Sequence, residues 1–96
     1  MSMKETGVFE TSNASKYLQQ LCKHFAHKVE VEYDETSGRA ELFSGPAIMS
    51  ATPERLTVTI TAEDEDGLEK ARGAIDRHLE KFAFREDFKT MSWTAA

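Results

Sequence analysis

The residues best equipped for chemistry fall in two short stretches. His24 and His27 stand three apart, Tyr17 and Gln20 precede them by about a turn, and Lys28 follows directly. Imidazoles at i and i+3 of a helix share one side of it, roughly 60° apart, so both can reach one transition metal. Two ligands leave a site incomplete, because structural zinc takes four and catalytic zinc takes three plus a water. His78 is the remaining histidine of the chain. A metal centre therefore requires His78, or a carboxylate, to face His24 and His27 across a groove. The plainer reading is a polar patch whose imidazoles bond to backbone and water. Proton transfer by a histidine is a third reading, without an identifiable nucleophile or orienting partner.

The second stretch is Arg85-Glu86-Asp87, behind a Phe-rich helix end. Arg85 is suited to helix C-terminal carbonyls, to an acidic strand face or to an anionic ligand. Cys22 lies on the opposite, apolar side of the His24 helix, where burial makes a thiol a small hydrophobe with a raised pKa. The run Glu63-Asp64-Glu65-Asp66-Gly67 lacks the closing glutamate of a calcium loop and reads as a helix start. The sequence has no phosphate loop, dinucleotide glycine turn, Cys-x-x-Cys, nucleophile elbow or His-Glu-x-x-His.

Elements that could position these groups follow from hydrophobic period. Ala14, Leu18, Leu21, Cys22, Phe25, Ala26 and Val29 form one arc of a helix over 14–29, with Ser12 and Asn13 as N-cap candidates. Alternation then takes over: Val29, Val31 and Tyr33 against Glu30, Glu32 and Asp34, then Ala40 and Leu42 against Arg39, Glu41 and Phe43. The segment Glu35 to Gly38 reads as the intervening turn, with Gly38 supplying positive φ. Pro46 and Pro53 mark further turns, around a weaker strand from Ala47 to Ala51. Leu56, Val58 and Ile60 alternate with Thr57, Thr59 and Thr61 in the clearest strand. Asp64 caps a second helix whose stripe is Leu68, Ala71, Ile75, Leu79 and Phe82. Gly7 to Thr11 and Phe88 to Trp93 are candidate flanking strands. Connections this short make the strands antiparallel. The class is α+β, in the order βαββββαβ, with two helices packed on one face of an antiparallel sheet.

With 96 residues, 40% hydrophobic and 30% charged, the chain supports a single domain over 1–96. Its first residues lack the apolar stretch expected of a secretory signal, no apolar run has membrane length, and its one cysteine suits an expected reducing, cytoplasmic setting. The net charge of -5 argues against nucleic acid and membranes as partners. Residues 29–69 hold eleven acidic and two basic side chains, while the segments on either side are mildly basic. Complementary segments folding onto one another account for such blocks. The outer sheet face, with its Thr row and Glu30, Glu32 and Glu41, is open either to solvent or to a second copy in a homodimer, through Phe43 and other exposed apolar groups.

Tyr17-Leu18-Gln19-Gln20-Leu21-Cys22-Lys23-His24-Phe25-Ala26-His27-Lys28 resembles the opening signature of a bacterial family of uncharacterised proteins, DUF2218. His78-Leu79-Glu80-Lys81-Phe82-Ala83-Phe84-Arg85-Glu86, with Trp93 beyond, resembles its second signature, although that pattern more often has Glu-Arg where this chain has Glu80-Lys81. The likeness covers nearly the whole chain. It implies a small cytosolic domain without assigned activity, with members encoded near iron–siderophore uptake genes, a hint of metal handling. It also implies a fold akin to the TATA-binding-protein-like arrangement at the C-terminus of phosphohexomutases. The expected function is that of a non-enzymatic binding or accessory domain for a small ligand or protein partner. The alternative is iron or zinc binding through His24, His27 and His78. Tyr17, Lys28, Arg85 and Glu86 are candidate contacts to the ligand or partner, and no cofactor is specified.

Overall fold

Changes of hydrophobic period along the chain become changes of element. The computed structural model describes residues 3–42, 45–86 and 90–95. In chain order these form β1 (Met3–Glu10), α1 (Ala14–Phe25), β2 (Val31–Tyr33), β3 (Ser37–Leu42), β4 (Gly45–Ala51), β5 (Arg55–Ala62), α2 (Glu65–Phe82) and β6 (Ser92–Ala95). A 3-10 turn, Phe84–Glu86, follows α2. The order is βαββββαβ, as the periodicity requires. The strands make one antiparallel sheet in the spatial order β2-β3-β4-β5-β1-β6.

Leu56, Val58, Ile60 and Ala62 of β5 are fully buried, and the residues between them are not. In register, Val58 lies opposite Gly7 of β1 and Met49 of β4, so one sheet face is apolar across the middle strands. Onto it pack Leu18, Leu21, Cys22 and Phe25 from α1 and Leu68, Ala71, Ile75 and Leu79 from α2. Both helices share that one core and therefore one face of the sheet. Each fully buried Leu or Ile contributes roughly 1.5–3 kcal/mol. The other face carries a row running Glu32, Arg39, Ile48, Thr59, Thr6 and Thr94 across all six strands. Among the described residues, no helix is long and apolar enough to cross a membrane.

Local details differ from the sequence reading for identifiable reasons. Helix α1 stops at Phe25 instead of Val29, because the N–H groups of Lys28 and Val29 both close onto the Phe25 carbonyl at 2.9 Å and wind the chain into a turn. Asn13 occupies the N-cap position, but its side chain does not cap. Gly38 is not the turn glycine. The turn is made by Asp34, whose Oδ1 accepts the N–H groups of Thr36 and Ser37 at 2.8 Å each. Gly38 instead lies within β3, where a Cβ would stand 2.7 Å from the Cys22 sulfur; glycine lets α1 settle directly on the strand. Among the described glycines it is Gly45 that has positive φ, at 145°, and a Cβ there would meet the Thr61 carbonyl oxygen at 2.8 Å. Pro46 lies near the start of β4 opposite Glu41, a strand position that proline tolerates, and not in a turn. Strand β6 begins at Ser92, and Trp93 lies against Gly7. Phe43, Ser44, Asp87, Phe88 and Lys89 fall outside the described residues.

Candidate functional site

The last turns of α2 lie beside α1 above the sheet. Anchors at the far end set the position of α2. Asp64 accepts the Gly67 N–H at 2.8 Å, and Arg72 pairs with Glu5 of β1 and with Glu65. Ile75 and Leu79 of the apolar stripe turn down into the core and are fully buried. That rotation sends His78 and Phe82 sideways towards α1. From α1, Leu21 and Cys22 face the core, leaving Gln20, Lys23 and His24 along the seam.

Two of the three histidines meet there. The rings of His24 and His78 are 4.2 Å apart between centroids and tilted by 51°, and Phe25 meets His78 edge-on at 5.2 Å. His78 Nδ1 lies 2.6 Å from the Ala74 carbonyl oxygen. A carbonyl only accepts, so Nδ1 is the donor of this bond. Desolvation by this packing, followed by the charges of His78, Lys28, His27 and Lys81, lowers the His24 pKa below its ordinary value. His27 lies in the turn beyond α1, not on the helix, yet it lines the same shallow furrow of about 270 Å³ as Gln20, Lys23, His24 and Phe82. Among the described residues, no group of three or more His, Cys, Asp or Glu is arranged to hold a metal ion.

Tyr17 and Glu86, 69 residues apart in sequence, form a clamp. Tyr17 donates its hydroxyl to Glu86 Oε2, which also accepts from the Asn13 carboxamide at 3.2 Å, while Oε1 accepts from Thr11 at 2.7 Å. Desolvation pushes the Glu86 pKa up, but the hydrogen bonds from Tyr17, Thr11 and Asn13, with the charge of Lys16, outweigh it and leave the pKa lowered. Burial, then the bond to Glu86, pushes the Tyr17 hydroxyl up to about 12. The clamp ties the 3-10 turn after α2 to the start of α1. Cys22 is fully buried, donates to the Met49 sulfur at 3.7 Å, and is pushed up by burial to about 11.

Beside the clamp the seam widens into a furrow of about 610 Å³ lined by Asn13, Lys16, Tyr17, Gln20, Lys81, Phe82, Arg85 and Glu86. Gln20 and Phe82 also line the histidine furrow, so the two adjoin. The Gln20 Oε1 atom is shut away from solvent with no hydrogen-bond partner. Of the expected site residues, the seam gathers Tyr17, His24, His27, Arg85 and Glu86, with His78 against His24. Lys28 lies in the turn after α1 and reaches His24 through its charge. Lys16, Lys81 and Phe82 escaped the sequence reading as site residues. Their signal was present, since Lys16, Gln20 and Lys23 recur at spacings of four and three, and Lys81 and Arg85 at four.

The family model for "Uncharacterized protein conserved in bacteria (DUF2218)" matches residues 6–94. The chain belongs to the DUF2218 family. That match spans both helices and reaches every strand of the sheet, and so includes the whole seam. Among solved structures, the NMR structure of PA4090 from Pseudomonas aeruginosa is similar, at 27% identity and a TM-score of 0.79, over 96% of this chain and 95% of that one. No protein of curated function matches this DUF2218 member.

Proposed function

We propose that this DUF2218 protein is a non-enzymatic binding domain, and that the seam between α1 and the end of α2 receives its ligand. The observation that carries this reading is the state of the reactive groups there. In the seam Tyr17 holds its proton far above neutral pH and Glu86 is an ionised acceptor with both oxygens bonded, while the Cys22 thiol lies outside it, protonated and buried in the core. None of these is poised near neutrality, as acid–base or nucleophilic chemistry demands. What the seam offers instead is a concave surface, with a combination of aromatic, amide and cationic side chains. A small-fragment screen by amide NMR tests it. Fragments shifting the resonances of Gln20, His24, Lys81, Phe82 and Arg85 support the reading; hits confined to the sheet face or the β2–β3 end overturn it.

A second reading rests on the contact between His24 and His78. These two imidazoles offer two ligands to zinc or iron, with no third His, Cys, Asp or Glu placed to join them among the described residues, and the lowered His24 pKa favours the neutral, ligating form. Zinc and ferrous iron titrations of the protein and of a His24→Ala, His78→Ala variant decide it. Stoichiometric uptake that the variant loses supports a metal site, and equal or absent uptake removes it.

A further inference from the structure

Taking the seam as a binding site, we infer that its ligand is a small organic anion: a carboxylate or phosphate attached to an apolar, ring-sized body. In a chain of net charge -5, the described lining of the wider furrow holds Lys16, Lys81 and Arg85, the last already engaged in an interaction of its own, against one carboxylate, Glu86. That carboxylate keeps its charge, but its oxygens are turned to Thr11, Asn13 and Tyr17 on the α1 side, and the cations outnumber it. Lys23 adds a cation in the adjoining furrow. The acidic side chains that dominate residues 29–69 are concentrated elsewhere, with Glu30, Glu32 and Glu41 lining a separate hollow beside β2 and β3. A partly enclosed groove strengthens the attraction between such cations and an anion relative to open water.

The floor supplies the rest of the specificity. Phe82 is half-buried and lines both furrows, so its ring offers a face for an apolar body. The volume of about 610 Å³ matches a small molecule, since pockets of roughly 300–1,000 Å³ hold ligands of that class.

Amide NMR titrations with phenyl phosphate, inorganic phosphate and benzyl alcohol test the inference, each with the intact chain and with Lys16→Glu, Lys81→Glu and Lys70→Glu variants. Lys70 is an exposed lysine at the other end of α2, paired with Asp66, and controls for the same change in total charge. Phenyl phosphate is expected to shift Gln20, Lys81, Phe82 and Arg85, and to bind at least about tenfold more tightly than either half-molecule. Its affinity should drop about tenfold in K16E and K81E, and by less than about twofold in K70E; a tenfold change corresponds to about 1.4 kcal/mol. Equal binding of benzyl alcohol, or an equal loss in K70E, overturns the anion assignment while leaving the seam as a binding site. Equal binding of inorganic phosphate overturns the apolar body. If all three probes leave the seam unshifted while fragments of other chemistry bind it, the inference fails alone; if no fragment binds there, both readings fail.

Discussion

Replacing Tyr17 by phenylalanine isolates the bond that closes the clamp. The ring is retained, so its stacking on Phe9, at 5.9 Å between centroids and 12° between planes, survives. Only the hydroxyl is lost, and with it one of the three side-chain donors that hold Glu86. A hydrogen bond to a charged acceptor is worth about 1.5–3 kcal/mol, so Y17F should lose that much stability near neutral pH. The pH dependence gives a second measure, of the burial of the hydroxyl and its bond to Glu86 together. The Tyr17 hydroxyl rises from 10.0 to about 12 on folding, so the folded protein keeps a proton that the unfolded chain releases. Its contribution is therefore complete below pH 10 and disappears as pH climbs through about 12, a total of about 2–3 kcal/mol. Urea unfolding followed by Trp93 fluorescence, at pH 7.5 and pH 11, measures both quantities. All other ionisable groups are common to the two proteins, so the difference between them reports Tyr17. One unit above the ordinary value, the gap between wild type and Y17F should narrow by roughly 1.4 kcal/mol. A gap below about 0.5 kcal/mol at pH 7.5, or one that stays constant up to pH 11, would refute the clamp.

Three further outcomes are expected. Gly73 sits inside α2, and a methyl group added there would have no neighbouring atom within 4 Å, so Gly73→Ala should stabilise by about 1 kcal/mol and raise the melting temperature by several degrees; an unchanged or lower melting temperature contradicts it. Gly38→Ala forces a methyl against the Cys22 sulfur and should cost about 1–3 kcal/mol, with Cys22→Ala in the same chain costing less than the two changes summed; strict additivity in chemical denaturation would show that the contact is not the cause. Because the His24 pKa is lowered on folding, the unfolded chain takes up the proton first, and stability should fall as pH drops through about 6.5 and below. Wild type should lose more stability than His24→Gln between pH 7.5 and pH 5 in urea melts, and parallel loss in both proteins would exclude His24 as the source.

The element order was legible because burial on one side imposes a repeat on the sequence. Leu56, Val58 and Ile60 had to alternate to coat a sheet, and Leu68, Ala71, Ile75 and Leu79 had to recur every three or four residues to coat a helix. The repeat says less about ends and exceptions. Val29 continues the apolar arc of α1 but belongs to the turn beyond it, since apolar contact with the core is compatible with either backbone. Gly38 reads locally as a turn residue, and its actual constraint comes from the sulfur of Cys22, on the preceding helix.

Local pattern along the chain dictates which side of each helix is apolar, that the carboxylates crowd the middle of the chain, and that His24 and His27 emerge near one another. These properties depend on neighbours a few residues apart, where backbone geometry is the only intermediary. The tertiary structure alone decided that His24 meets His78, that Glu86 receives Thr11, Asn13 and Tyr17, and that Lys16 shares a furrow with Lys81 and Arg85. Each of those meetings joins the first helix region to the last, across the whole length of the sheet-forming middle, and no local pattern records it. Their proximity is set by how α1 and α2 pack on the sheet, a consequence of the whole core finding its lowest free energy at once.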